Sequence, residues 1–223
     1  MLDFPAFGQA LWGLYGATGI RPEYAIVSMM LESGLNPGAV NGVGCTGLNQ
    51  MCAGIPEDYA SWTASQQVTG VITPFWIGLV KRYGAIESGA RLEQGNMYPA
   101  SLAYARSLSS VIVSTTQDKP AYDGNKGAFD PGNTGAITVQ GIADALRKLA
   151  SSDAVQSAID RTYAVRSVER PKDPVYGDDF GFFERYGREA ALGAGALALG
   201  ASFAWEPAWP LRAWKTVRRV LWG

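Results

Sequence analysis

Glu32 closes an apolar run, YAIVSMML from Tyr24 to Leu31, and is followed by the helix breakers Gly34 and Pro37. Pro22 suits a first helical position, where its missing N–H costs nothing. Tyr24, Val27 and Leu31 recur at helical spacing, and Ile26, Met29 and Met30 make the rest of the run apolar as well. Glu32 therefore belongs to the last turn of a helix, among Met29, Met30 and Leu31. Apolar burial raises the pKa of a carboxyl, and the partial negative charge at a helix C-terminus pushes it the same way. A glutamic acid that keeps its proton near neutral pH is a general acid, the group that glycosidic bond cleavage needs to protonate its leaving oxygen.

The residues after Glu32 add a pattern. Glu32-Ser33 leads into Gly34-Leu35-Asn36-Pro37-Gly38-Ala39, and Gly44-Cys45-Thr46-Gly47-Leu48-Asn49-Gln50-Met51 follows. This stretch resembles the catalytic core of the soluble lytic transglycosylases related to goose-type lysozyme. Those proteins carry an apolar helix ending in Glu-Ser, a Gly-x-Asn-Pro-x-Ala turn and a Gly-Ala-x-Gly-Leu-Met-Gln-hydrophobe motif. Cys45 replaces the usual alanine and Asn49 the usual methionine, which makes the floor of a cleft more polar. The likeness covers about thirty of 223 residues. It implies a mainly α, lysozyme-like fold with minimal β structure, and Glu32 as the catalytic acid. It also implies Ser33, Asn49, Gln50, Met51 and Tyr98 as substrate-binding residues. Tyr98, in Gly95-Asn96-Met97-Tyr98-Pro99-Ala100, stands where the family usually has Ala-Tyr-Asn-Ala-Gly, a string this chain lacks; phage-encoded members are similar to it here.

Glycosidases normally flank the bond with two carboxyl groups. Glu23 lies more than two helical turns before Glu32, too far along the axis for a close pair. Glu57 and Asp58 follow Pro56 and suit the first turn of another helix, where the dipole favours acids. A distant acid such as Glu87, Glu93 or Asp123 folding back into the cleft stays open. With one placed carboxylate, the resemblance implies the transglycosylase route, in which Glu32 acts first as acid and then as base, and a 1,6-anhydro ring closes on the muramyl sugar.

The chain has no histidine, which removes Ser-His-Asp and Cys-His constellations and nearly every catalytic zinc arrangement. Cys45 and Cys52, seven apart, match no metal spacing. They are free thiols in a packed loop or a local disulfide, with free thiols the default reading. No phosphate-binding glycine loop is present, and 19 Lys+Arg against 20 Asp+Glu give no net field for nucleic acid. No cofactor is expected and no metal. Asp130-Pro131-Gly132-Asn133-Thr134 faintly echoes a calcium loop, but Gly132 and Gly141 stand where oxygen ligands are needed. Residues 117–135 read as a structural loop and N-cap. Trp62, Trp76 and Tyr83 suit core packing better than a sugar cleft.

Periodicity and breakers predict a short N-terminal helix carrying Leu11, Leu14 and Tyr15, then helices at about 22–32, 56–67, 68–84, 98–113 and 139–151, with a small β element between Leu35 and Gly44. The expected division is a catalytic domain at 1–120, a loop and helix at 121–165 packed on it, and a linker and tail at 166–223. The opening residues lack the basic start and cleavage site of a signal peptide. Residues 190–205 carry no charge and would span roughly 24 Å as a helix, short of the ~30 Å hydrocarbon core. The basic, Trp-bearing residues 209–222 fit an interfacial anchor, so 190–222 contact a membrane, or pack on the domain or a neighbouring subunit. The expected partner is peptidoglycan, with virion proteins besides, and the expected location is a phage particle acting in the bacterial periplasm. The alternatives are a muramidase that hydrolyses with water, and a virion or envelope protein that binds glycan without cutting it.

Overall fold

A computed structural model describes residues 2–169. The tail at 190–222 and most of the expected linker lie outside the described residues. What is described is mainly helical, with one two-stranded sheet. Helix α1 (Phe4–Thr18) starts at the N-cap Asp3 and ends on Gly19 in the left-handed region, a conformation glycine adopts at little cost. Helix α2 (Pro22–Ser33) has Pro22 in its first turn and is capped by Gly34 at φ 63°, whose N–H returns to Met30 O. No helix among the described residues is long and apolar enough to cross a membrane.

Between Asn36 and Met51 the chain makes a compact loop held by two isolated bridges, Val40 to Thr46 and Thr46 to Met51. This is the minimal β element expected near there. The helix expected over 56–67 is instead a 3₁₀ turn at Tyr59–Ser61 and a short α3 (Ala64–Gln67), opened by a Thr63–Gln66 capping box. A widened π turn (Val68–Ile72) joins α3 to α4 (Thr73–Tyr83). The helix expected over 98–113 is also absent. Helix α5 (Gly89–Met97), capped by Ser88, precedes Pro99, which opens a 3₁₀ turn, and β1 (Val111–Ser114) follows. The β-branched Val-Ile-Val of β1 pairs antiparallel with β2 (Ala136–Thr138), where such side chains pack well.

The segment 117–135 is not all loop. Asp118 caps α6 (Lys119–Phe129), and Asp130 then gathers Tyr122 Oη, Thr134 N and Oγ1, and Gly135 N on its carboxylate at 2.7–3.1 Å. That carboxylate organises a turn. Thr138 caps α7 (Val139–Ala150), and α8 (Asp153–Ala164) closes the described fold. α8 packs on α1 and α2, and α7 packs on α5 and α2. One hydrophobic core runs from Phe7 and Leu11 through Ile26, Trp76 and Leu92 to Leu146 and Ile159. Buried polar bonds join its ends: Trp12 Nε1 donates to Thr162 O at 3.1 Å, and Tyr163 Oη to Glu23 Oε2 at 2.6 Å.

Candidate functional site

The site forms where α2 meets α5. In α2, Ser28 and Glu32 are four residues apart and share one face; in α5, Glu93 and Asn96 are three apart and do the same. The facing pairs interlock. Ser28 Oγ donates to Glu93 Oε2 at 2.7 Å, and Asn96 Nδ2 donates to Ser28 Oγ at 2.7 Å. Glu93 Oε1 is buried with no N–H or hydroxyl donor on it, and Glu32 and Glu93 share a hydrogen bond. The proton of Glu32 is the donor at hand for that oxygen.

Burial, then the charge of Glu93 and the bond to it, push Glu32 up to about 10. Glu93, wholly buried, is raised by burial, while bonds from Glu32, Ser28 and Asn96 pull it back. Two carboxyls in contact cannot both ionise cheaply. The pair therefore keeps at least one proton at neutral pH, and the bonding places that proton on Glu32. Of the three distant acids, Glu93 is the one that comes to the site. Asp123 lies in surface ion pairs with Lys119 and Lys126. Glu87 is half-buried and raised by that burial, against the pull of Arg91. Glu23 sits at the other end of α2, engaged by Arg21 and Tyr163.

The loop after α2 is held from two sides, by the end of α2 and by α3. Ser33 Oγ donates to Met29 O at 2.9 Å and to Leu48 O at 3.0 Å, so its proton joins the helix end to the loop. From α3, the buried Gln67 accepts from Leu48 N at 2.9 Å and donates to Pro37 O at 2.7 Å and Tyr59 O at 3.0 Å. Asn49 is buried and donates from Nδ2 to Asn96 Oδ1 at 3.3 Å. Gln50, at φ 46°, spends its amide nitrogen inside the loop, on Gly47 O at 2.8 Å and Ala39 O at 3.4 Å. Met51 pairs through its backbone with Thr46. Tyr98 is half-buried against the core, its phenol raised by burial and the charge of Asp118. Cys45 and Cys52 are joined in a disulfide, which corrects the free-thiol reading. The bridge between Thr46 and Met51 brings the two residues flanking it together.

Trp76, expected in the core, is wholly buried there, and its Nε1 also donates to Asn96 Oδ1 at 2.9 Å. Sequence reasoning missed Ser28, Gln67 and Asn96 as parts of the site and left Glu93 open. Ser28 carried a signal, as the polar residue in an apolar helix one turn before the acid. Glu93 and Asn96 carried one too, at helical spacing. Among the described residues no group of acids or cysteines is arranged to hold a metal.

No family model, curated protein or solved structure matches the chain.

Proposed function

We propose that the protein is a peptidoglycan lytic transglycosylase with a lysozyme-like domain, in which Glu32 is the single acid and base. The observation that carries this reading is the hydrogen-bonded Glu32–Glu93 pair, in which Glu32 is pushed up to about 10. Retaining enzymes hold their carboxyls about 5 Å apart and inverting enzymes roughly 6.5–9.5 Å, leaving room for a sugar or a water. Carboxyls that share a hydrogen bond leave room for neither, so Glu93 supports Glu32 from behind instead of facing it across the bond.

Glu32 gives its proton to the oxygen leaving C1 of the muramyl sugar, and the C1–O bond breaks. The C6 hydroxyl then attacks C1 while the Glu32 carboxylate takes its proton, which closes the 1,6-anhydro ring and restores the acid. The ionised Glu32 would face Glu93 directly, and that like-charge contact makes it a strong base for the second half. Asn49, Gln50, Met51 and Tyr98 are the proposed sugar contacts, with Gln50 acting through its oxygen because its nitrogen is committed. Ser33 holds the floor loop to the helix end. The Cys45–Cys52 disulfide fits an oxidising compartment such as the periplasm, where we place the action of a particle-borne enzyme.

The test is digestion of purified sacculi, with mass analysis of the soluble products. Ends of 1,6-anhydro-N-acetylmuramic acid, one water lighter than hydrolytic ends, are expected. Glu32→Gln should reduce release by about 10²–10⁴-fold, the worth of a positioned acid-base group, with an unchanged circular dichroism spectrum. Reducing muramyl ends would make the protein a hydrolase. Undiminished release by the Gln variant would remove Glu32 from the chemistry, and no release by the wild type would leave a glycan-binding protein.

A further inference from the structure

We infer that Asn96 is a positioning residue that decides which carboxyl of the pair holds the proton, an inference that rests on Glu32 being the acid. Trp76 sets the direction of the network. An indole N–H can only donate, so the Asn96 atom 2.9 Å from Trp76 Nε1 must be its oxygen. That fixes the amide, because the other end must then be Nδ2, and Nδ2 faces Ser28 Oγ at 2.7 Å. Ser28 has one proton and receives Asn96 as donor, so its own proton goes to Glu93 Oε2, 2.7 Å away. Every bond in the chain from Trp76 to Glu93 then points the same way. Glu93 ends it as an acceptor; bonds donated to it favour its ionised form, and the shared proton then goes to Glu32.

Asn49 Nδ2 adds a second donor on Asn96 Oδ1, which couples the floor loop to the same amide. This is a use for the asparagine at that place that a methionine could not serve. The groups around the pair do not compete for this role. The charge that acts on Glu32 is that of Glu93. On α2, Glu23 is bound by Arg21 and Tyr163. On α7, which packs on α5, Asp144 and Arg147 are exposed and paired with each other. On α5 itself, Arg91 Nη2 donates to Leu102 O. On α8, Arg161 lies over the Phe4 ring. The segment 45–52 carries no charged side chain.

The test is a titration of ¹³C-labelled glutamate carboxyls in the full chain, beside the pH profile of sacculus cleavage. Asn96→Leu removes the donor to Ser28 together with the bond that Asn96 itself makes to Glu93, and frees the Ser28 hydroxyl to turn away. Glu93 should then keep its proton to a pH higher by about one unit, the worth of one charge-assisted hydrogen bond. The acid limb of the cleavage profile should move up by the same amount. Trp76→Phe leaves Asn96 in place but removes the shorter of the two bonds that orient it, that of Asn49 remaining, and should shift Glu93 in the same direction by less. It also serves if Asn96→Leu does not fold. A Glu93 titration unchanged in a folded variant overturns the inference. Carboxyl shifts as expected in a protein whose wild type cleaves no wall would keep the positioning role and refute the enzymatic reading instead.

Discussion

Glu32→Gln should change how stability depends on pH, in a direction and size that follow from the carboxyl pair. In the unfolded chain both carboxyls ionise near 4.5, whereas the folded pair holds Glu32 protonated up to about 10. Across that window the folded state binds more protons than the unfolded state, so stability falls as pH rises. One extra proton corresponds to at most about 1.4 kcal/mol per pH unit, or about 2.7 kcal/mol between pH 6 and 8. Glu32 is partly exposed, which makes this a ceiling. Gln at position 32 still presents an N–H to Glu93 Oε1 but has no proton to lose. With that bond and those from Ser28 and Asn96 intact, the variant should show a shallower slope and be more stable than the wild type at pH 8. Urea unfolding followed by tryptophan fluorescence at pH 5–9 reads this directly. With a slope m of about 2 kcal/mol/M, the full effect moves the midpoint by about 1.4 M. Parallel pH curves for wild type and variant would refute the reasoning, since they would mean that Glu32 is ionised in the folded protein at neutral pH.

Replacing both Cys45 and Cys52 by serine opens a short ring and should cost about 2.5 kcal/mol on a loop-closure scale; the melt of the variant should match that of the reduced wild type. Gly141→Ala would put a Cβ 2.2 Å from Phe129 O, a backbone atom that cannot step aside, and should cost about 2 kcal/mol or more, measured by thermal melting. Gln67→Leu leaves Leu48 N–H, Pro37 O and Tyr59 O without their buried partner, a loss of about 3 kcal/mol readable by urea unfolding.

Where local chemistry decides, the sequence was readable. Pro22, the apolar run and Gly34 mark both ends of α2, and Thr138 and its apolar spacing mark α7. The placement of Glu32 in a last turn followed from these. Misreadings occurred where tertiary packing overrules periodicity. The residues from Tyr98 to Val113 have the apolar content of a helix, yet Pro99 confines the first part to a 3₁₀ turn and Val111–Ser114 finds a strand partner more than twenty residues later. The run Lys119–Phe129 looked like a loop because of Asp123, Gly124, Asn125 and Gly127, but the Asp118 cap and burial of Tyr122 and Phe129 are enough to make it helical. Glu93 could not be assigned from sequence because 61 positions separate it from Glu32, and spacing along one helix says nothing about which face of another it will meet. The disulfide was missed for a related reason: only the bridge between Thr46 and Met51 makes the two cysteines neighbours.

Helix α8 has a consequence for synthesis. It lies against α2, and its Tyr163 holds Glu23 while its Thr162 carbonyl holds Trp12. The acid-bearing helix thus leaves the ribosome well before α8, and one of its flanks stays uncovered until residues some 140 positions later emerge. A nascent or prematurely ended chain would carry the whole Glu32 motif without the packing that fixes α2. On that geometry, the Glu23 end of α2 is fixed only once α8 has formed, so the helix that carries Glu32 is locked in place late in synthesis.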